Sequence, residues 1–323
     1  MDCQVGVDVS KKSLAIAILA EDGFVLIEDF SNNKSGFQKI MQKIEKLGYT
    51  EPVFGCEATG VYHEVFTRTI FDAGFDIAVI NPRHIKHETE AQGIKSSTDH
   101  ADAKVIAYRL SRGIDRFWHP RDMGNVPLRN LTRRREQLKE QVKSEKNRRD
   151  RFNDGPCRRS LERSIEFLKK EKAGIEDEMK KLIRSDEETT VDMSLATSIP
   201  GVGFIVATSF LGRIGDATRF RSGDAIASFL GVCARQKISG SSVNRSYMSR
   251  RGDAVVRRNL YMGALSACRI DSVYQDYYQG MRERGKSHKE AIVAVMRKMI
   301  RALYAVLRDR VPFSNERYGL NIK

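Results

Sequence analysis

Two short apolar runs in the first fifth of the chain are each interrupted by a carboxylate: Asp8 in VGVDVSKKS and Glu57 in VFGCEATG. Such runs read as β-strands, and an ionised group inside a strand is costly unless something positive compensates it. A divalent metal ion would do so. Residues 4–10, 13–20 and 24–30 form three apolar runs separated by Lys11-Lys12 and Glu21-Asp22-Gly23, a strand meander with Asp-Gly at a tight hairpin. Residues 35–47 set Phe37, Ile40, Met41, Ile44 and Leu47 at helical spacing. Strand 53–59 then carries Glu57, a helix covers 61–73, and a fifth strand, 76–80, stops at Asn81-Pro82.

Three antiparallel strands followed by alternating helix and strand is the element order of a ribonuclease-H-like α/β domain, and in that order the strands of Asp8 and Glu57 are neighbours. Residues 101–113 form an apolar-faced helix with Asp99 near its start, and the i, i+3 spacing sets Asp99 and Asp102 on one face. Two oxygen ligands from a sheet and two from a helix suit magnesium or manganese. Each residue also has a plainer role: Asp99 as a helix cap, Asp102 as a first-turn charge favoured by the helix dipole, and Asp8 as a strand-end turn former. The four together favour the metal site.

The formal net charge is +14, and it is unevenly spread: 14 basic against 17 acidic residues in 1–118, 19 against 11 in 128–184, and 22 against 10 in 191–323. An acidic first part joined to strongly basic ones is the footprint of a polyanion binder, with nucleic acid the expected partner. No run of about 18 apolar residues and no cleavable leader is present, so a cytoplasmic protein without membrane spans is expected. The five cysteines (Cys3, Cys56, Cys157, Cys233, Cys268) form no CxxC pair, and His84 and His87 find no zinc-type partners.

Trp118-His119-Pro120 and Gly124 to Pro127 mark a domain exit. Two charged helical segments follow, 128–152 and 157–184, separated by a turn at Asn153-Asp154-Gly155-Pro156. In the second, Leu161, Ile165, Leu168, Ile175, Met179 and Leu182 follow a heptad seam, so a basic coiled-coil hairpin is expected over 125–188, offering Arg133, Arg134 and Arg148 to phosphates. A merely solvated basic helix is the plainer alternative. Ile-Pro-Gly-Val-Gly at 199–203, between apolar helical stretches, fits either an ordinary helix turn or a hairpin whose Gly201 and Gly203 let backbone N–H groups approach a phosphate. After a helix ending at Phe229-Leu230, a loop over 231–253 combines Ser239, Gly240, Ser241 and Ser242 with Arg245, Arg250 and Arg251. Small hydroxyl residues between cations suit a phosphodiester-holding loop, although most serine-rich loops are only turns. Amphipathic helices at 254–270 and 287–309 complete a mostly helical 191–323 part.

Taken in order, GVDVSK, CEATGVY, VINP, KSSTDHADA, SIPGVG, AIASFLGV, SGSS and RKMIRALYAVL resemble, end to end, the transposases of the insertion-sequence-110 type, also described as bridge-RNA-guided recombinases. The resemblance implies that Asp8, Glu57, Asp99 and Asp102 are the tetrad of a domain like that of Holliday-junction (RuvC-like) resolvases, binding Mg2+ or Mn2+. It implies that Ser239 is the nucleophile of a C-terminal transposase domain, forming a covalent phosphoserine link to DNA. It further implies a structured non-coding guide RNA, target and donor DNA as partners, and assembly as a dimer or a dimer of dimers, in a nucleoid-associated setting. Arg245 and Arg250 are then expected to neutralise the phosphate. Two other functions remain open from the residues: a metal-dependent junction-resolving nuclease using water, and an ATP-binding protein of the actin and sugar-kinase fold. A catalytically silent RNA-binding regulator is a third.

Overall fold

The computed structural model describes residues 2–58, 62–94, 98–114, 116–239, 243–249, 252–270 and 272–318, with the backbone alone at 2, 121, 123 and 318 and over 234–239 and 243–248. The chain divides into two compact units, Met1–Pro120 and Arg121–Lys323. It is a mixed α/β protein with one five-stranded sheet and mostly helical content elsewhere.

In the first unit, β1 (Asp2–Val9), β2 (Ser13–Ala20) and β3 (Gly23–Ser31) form the expected meander. Gly23 turns the second hairpin with φ +117°, a conformation that L side chains rarely adopt. Helix α1 (Lys34–Lys46) is capped by Asn33, whose side chain accepts from the Gly36 N–H at 2.9 Å. β4 (Glu51–Glu57), α2 (His63–Asp72), β5 (Ile77–Ile80), α3 (Pro82–Ala91) and α4 (Asp99–Ser111) follow. The sheet order is β3-β2-β1-β4-β5, with β1 antiparallel to β2 and parallel to β4, and β4 parallel to β5. The sheet's centre is buried: Val5, Val7, Leu14, Ile16 and Phe54 are fully enclosed.

The boundaries refine the sequence expectation in two useful ways. β4 ends at Glu57 rather than at 59, so Glu57 stands at the strand's carboxyl end. Asn81-Pro82, expected only as a strand stop, opens α3: the Asn81 side chain accepts from the Arg83 N–H at 3.0 Å, and Pro82 takes the first turn, where its missing N–H costs nothing. Its sequence, PRHIKHETEA, buries only Ile85, too little to give a periodic signal.

The second unit begins with the antiparallel pair α5 (Val126–Arg149) and α6 (Gly155–Arg184). Gly155 and Pro156, read as turn residues, instead open α6. Ile165, Met179 and Ile183 are buried on α6, and Leu128 and Leu138 on α5. Glu136, buried on α5, is compensated by Arg135 and, from Ala254–Ala267, by Arg258 at 2.8 Å.

The hairpin's base shares one apolar core with α7 (Glu187–Thr197), α8 (Phe204–Ile214), α9 (Gly223–Phe229), α10 (Ala254–Ala267), α11 (Val273–Glu283) and α12 (His288–Asp309). Helix α12 is the centre of that core, burying Ile292, Val295, Met296, Met299, Ile300, Leu303 and Val306. The short α13 (Asn315–Tyr318) ends the described chain.

Besides α3, a helix and a strand pair were not expected. Helix α11 occupies the gap between the two long amphipathic helices. The segment read as a loop over 231–253 holds two antiparallel strands, β6 (Ala234–Ser239) and β7 (Val243–Met248), paired from Ala234–Met248 to Ser239–Val243. Their polar, Arg- and Ser-rich sequences hide the period-2 pattern by which strands are recognised. No described helix is long and apolar enough to cross a membrane.

Candidate active site

Asp8 lies two residues after Gly6, and Glu57 two residues after Gly55, so in each strand the glycine and the acid share one face. Gly6 and Gly55 are register partners in the parallel β1–β4 pair. The register carried beyond the last pair, Val7–Cys56, sets Asp8 beside Glu57 at the carboxyl ends of the strands, where α/β sheets hold their ligands.

Helix α4 lies on the two glycines. A Cβ at Gly6 would collide with the Ala103 carbonyl oxygen and the Ala107 amide, and one at Gly55 would meet Leu110 Cδ2 at 2.7 Å. Helix and sheet backbones can therefore approach closely, with the N-terminal turn of α4 lying toward the strand ends. Thr98 is the N-cap, its hydroxyl accepting from the Ala101 N–H at 3.2 Å, so the alternative in which Asp99 caps the helix does not hold. Asp99 and Asp102 both occupy the first turn. Farther along the sheet, His100 Nε2 lies 2.9 Å from Asp29 Oδ1 and the Lys104 ammonium sits 5.6 Å from the Phe24 ring, tying the helix to β3.

Asp8 and Glu57 each feel burial and the charge of neighbouring carboxylates. Burial, then Asp99 and Asp102, push Asp8 up to about 6. Burial, then Asp8 and Asp102, raise Glu57 above the usual carboxylate range. Cys56, pointing to the opposite face, is fully buried and is pushed far up by burial and then by Glu57 and Asp8, which leaves it an inert thiol. Among the described residues, no three His, Cys, Asp or Glu side chains converge closely enough to enclose a metal ion. The donor set is nevertheless of the right kind: carboxylate oxygens whose mutual repulsion a hard divalent cation relieves.

In the second unit, Ser239 is the last residue of β6 and pairs with Val243. Lys237 pairs with Arg245 on the same ladder. Gly240, Ser241, Ser242, Arg250 and Arg251 lie outside the described residues. The stem is closed by the Ser249 N–H donating to the Cys233 carbonyl at 2.9 Å. Gly252, at φ +105°, lets the chain pass against the Phe229 carbonyl.

The remaining candidates are differently engaged. Arg133 donates to Asp253 at 3.2 Å, and Asp253 caps α10 by accepting from the Val255 and Val256 N–H groups. Arg148 pairs with Glu145 at 2.6 Å, and Arg134 is exposed beside Gln137. Gly201, at φ +82°, packs on α10, where a Cβ would lie 2.5 Å from the Gly263 carbonyl oxygen; this close approach accounts for the glycine without a phosphate. Gly203 is the N-cap of α8, and the space beside its Cα is open. Gly6 and Gly55 escaped the sequence reading, although glycine two places before a strand carboxylate was their visible signal.

A family model described as "Transposase" matches residues 5–152, and the model of the "Transposase IS116/IS110/IS902 family" matches residues 193–279. The chain belongs to the IS110 family of transposases. Similar proteins include the "Pilin gene-inverting protein" of Moraxella bovis, 27% identical over 96% of this chain and 97% of that protein. The "Transposase for insertion sequence element IS1111A" of Coxiella burnetii is 24% identical over 82% of this chain and 78% of that one. The "Insertion element IS110 uncharacterized 43.6 kDa protein" of Streptomyces coelicolor is 30% identical over 46% of this chain and 36% of that one. A solved Ppx/GppA-family structure from Aquifex aeolicus aligns with 29% of this chain and 41% of that chain at 13% identity and a TM-score of 0.20, on which no argument rests. As an IS110-family transposase, the protein is an enzyme acting on DNA.

Proposed function

We propose that this transposase cuts and rejoins DNA strands with two sets of groups. Asp8, Glu57, Asp99 and Asp102 form a Mg2+- or Mn2+-binding tetrad on a ribonuclease-H-like sheet, and Ser239 is the nucleophile. The observation that carries the first half is the register that brings Asp8 beside Glu57 at the ends of two parallel strands, with Asp8 pushed up to about 6 by burial, Asp99 and Asp102. The sheet order β3-β2-β1-β4-β5 supports the fold assignment. Bound there, a divalent ion supplies Lewis-acid activation of phosphate oxygens.

The serine half rests on the resemblance of the SGSS segment and on the chemistry that transposition demands. As the Ser239 Oγ–P bond forms, one strand P–O bond breaks. The hydroxyl gives up its proton and the departing strand oxygen gains one, so the number of phosphate ester bonds is unchanged and the strand can be rejoined without an external energy source. The name of the Moraxella bovis relative, a gene-inverting protein, fits this economy, because an inverted segment must be rejoined at both ends. A structured non-coding RNA would choose the DNA by base pairing while the basic second unit reads backbone shape, in an assembly of two or four copies.

The test is denaturing electrophoresis of a cleavage reaction with the co-purified RNA sequenced. A protein-linked strand that is lost in Ser239→Ala, with all cleavage lost in Asp8→Asn, is the expected result. Cleavage that yields only free ends and persists in Ser239→Ala would replace the serine with water and make the protein a resolving nuclease.

A further inference from the structure

Four side chains beside the stem of the β6–β7 hairpin form a ladder of cations and rings. The Arg219 guanidinium lies 4.3 Å from the centroid of Phe220 and 5.5 Å from that of Phe229. Arg213 lies over the same Phe229 ring at 4.4 Å. The two rings pack at 5.3 Å. Phe229 is the last residue of α9, four residues before Cys233 at the stem, and its carbonyl meets Gly252 on the returning chain.

The cations of this cluster are not equally compensated. Arg133 holds Asp253 at 3.2 Å, and Arg219 holds Asp122 at 3.5 Å and the Ile214 carbonyl at 3.1 Å. Arg213 has the ring, and among the described residues it makes no hydrogen bond or ion pair. It is half-buried, and both burial and the fields of Arg129, Arg219 and Arg133 oppose its charge, with Asp253 alone acting the other way, so that it is drawn down to about 10. A half-buried guanidinium in like-charged surroundings, with no protein acceptor among the described residues, is unfavourable to the free fold. It is also preorganised, because the ring fixes its plane and the donors are arranged to meet two oxygens of one anion.

We propose that Arg213 is an anion-binding residue that takes a phosphodiester of the nucleic-acid backbone beside the stem of the Ser239 hairpin. The aromatic rings that seat it match the pattern in which single strands are held, with cations and π-faces interleaved. The proposal rests on the reading of the second unit as the part that handles nucleic acid.

The experiment uses the full chain carrying Arg213→Met, which keeps the apolar stem on Phe229 and removes the charge. Binding of a fluorescent DNA duplex and of an RNA hairpin is followed by anisotropy across a salt series. The expected result is a log–log salt slope reduced by about 0.9 on the duplex, or by a similar amount on the RNA if that is the strand held, with affinity about fivefold weaker at moderate salt. Arg213→Lys, which keeps the charge and loses the fork, should leave the slope unchanged and weaken affinity. The thermal midpoint of the free Arg213→Met protein should hold or rise, opposite to what removal of a packing residue does. Unchanged slopes on both probes would overturn the assignment, whatever the midpoint does. Wild-type protein that binds neither probe would overturn it together with the reading on which it rests.

Discussion

Gly6 and Gly55 are register partners on adjacent parallel strands, and α4 presses on both. The obstacle differs between them: at Gly6 it is the backbone of Ala103 and Ala107, whereas at Gly55 it is the side chain of Leu110. Gly6→Ala should therefore displace α4 irreparably and lower cleavage by about 100-fold, the scale on which a misplacement of about 1 Å acts. Gly55→Ala should be rescued in part by a second change, Leu110→Ala. Cleavage rates of the three variants, with circular dichroism as a control for folding, decide the matter; equal rates in Gly6→Ala and wild type would mean that the seat of α4 is unimportant.

Asp8 should be a liability in the metal-free protein. Its folded pKa is raised from 3.8 to about 6, so the folded state prefers the neutral acid. Stability from this source is fully present below about 4 and is lost as the pH rises through about 6. At pH 8 without divalent ions, Asp8→Asn should thus be more stable than wild type, by about 1 kcal/mol once the screening of a half-exposed group is allowed for. Magnesium should raise the wild-type melting midpoint and leave that of Asp8→Asn nearly unmoved. An Asp8→Asn protein that melts lower at pH 8 than wild type would contradict the burial and the repulsion from Asp99 and Asp102 that raise Asp8.

Arg133 illustrates a different outcome. The sequence offers it to phosphates, and in the fold it donates to Asp253, the cap of α10. Asp253→Ala should cost about 1–2 kcal/mol, the range for a lost N-cap, and Arg133→Ala less. Urea denaturation would measure both. The nucleic-acid salt slope of Arg133→Ala should match wild type.

Glu136 is buried with its charge shared among Arg135, Lys139 and Arg258. Arg258→Met should destabilise by about 2 kcal/mol, because a buried carboxylate loses a partner. The double variant Glu136→Met, Arg258→Met should recover part of that loss, which a double-mutant cycle reads directly.

The first unit was largely legible because its sequence obeys simple periods. The apolar runs of β1, β2 and β3 and the helical spacing of Phe37, Ile40 and Ile44 each mark their element within two residues. The candidate carboxylates stood out because acids are rare in such runs. The seat that holds α4 was less visible, since a glycine's contribution is an absence of atoms and becomes apparent only when a second backbone is laid on it. Helix α3 and the β6–β7 hairpin went unread for a shared reason: their side chains are predominantly polar, and tertiary context rather than local pattern decides their conformation. Arg213 was invisible as a site because its partners, Phe229 and the neighbouring arginines, come from two other helices and an adjoining turn.

The paired helices α5 and α6 set a reach. With 30 residues, α6 is about 45 Å long. Only its C-terminal part, around Met179 and Ile183, joins the core of the second unit, while Phe167, farther along, is 62% exposed. The outer part is an arm, and a tilt of about 10° at the base would sweep its tip through about 7 Å for every 40 Å of length. Arm length is also quantised: removing seven residues from each helix would shorten it by about 10 Å and leave the seam in phase. The length of the arm is thus written in heptads, separately from the residues of the candidate site.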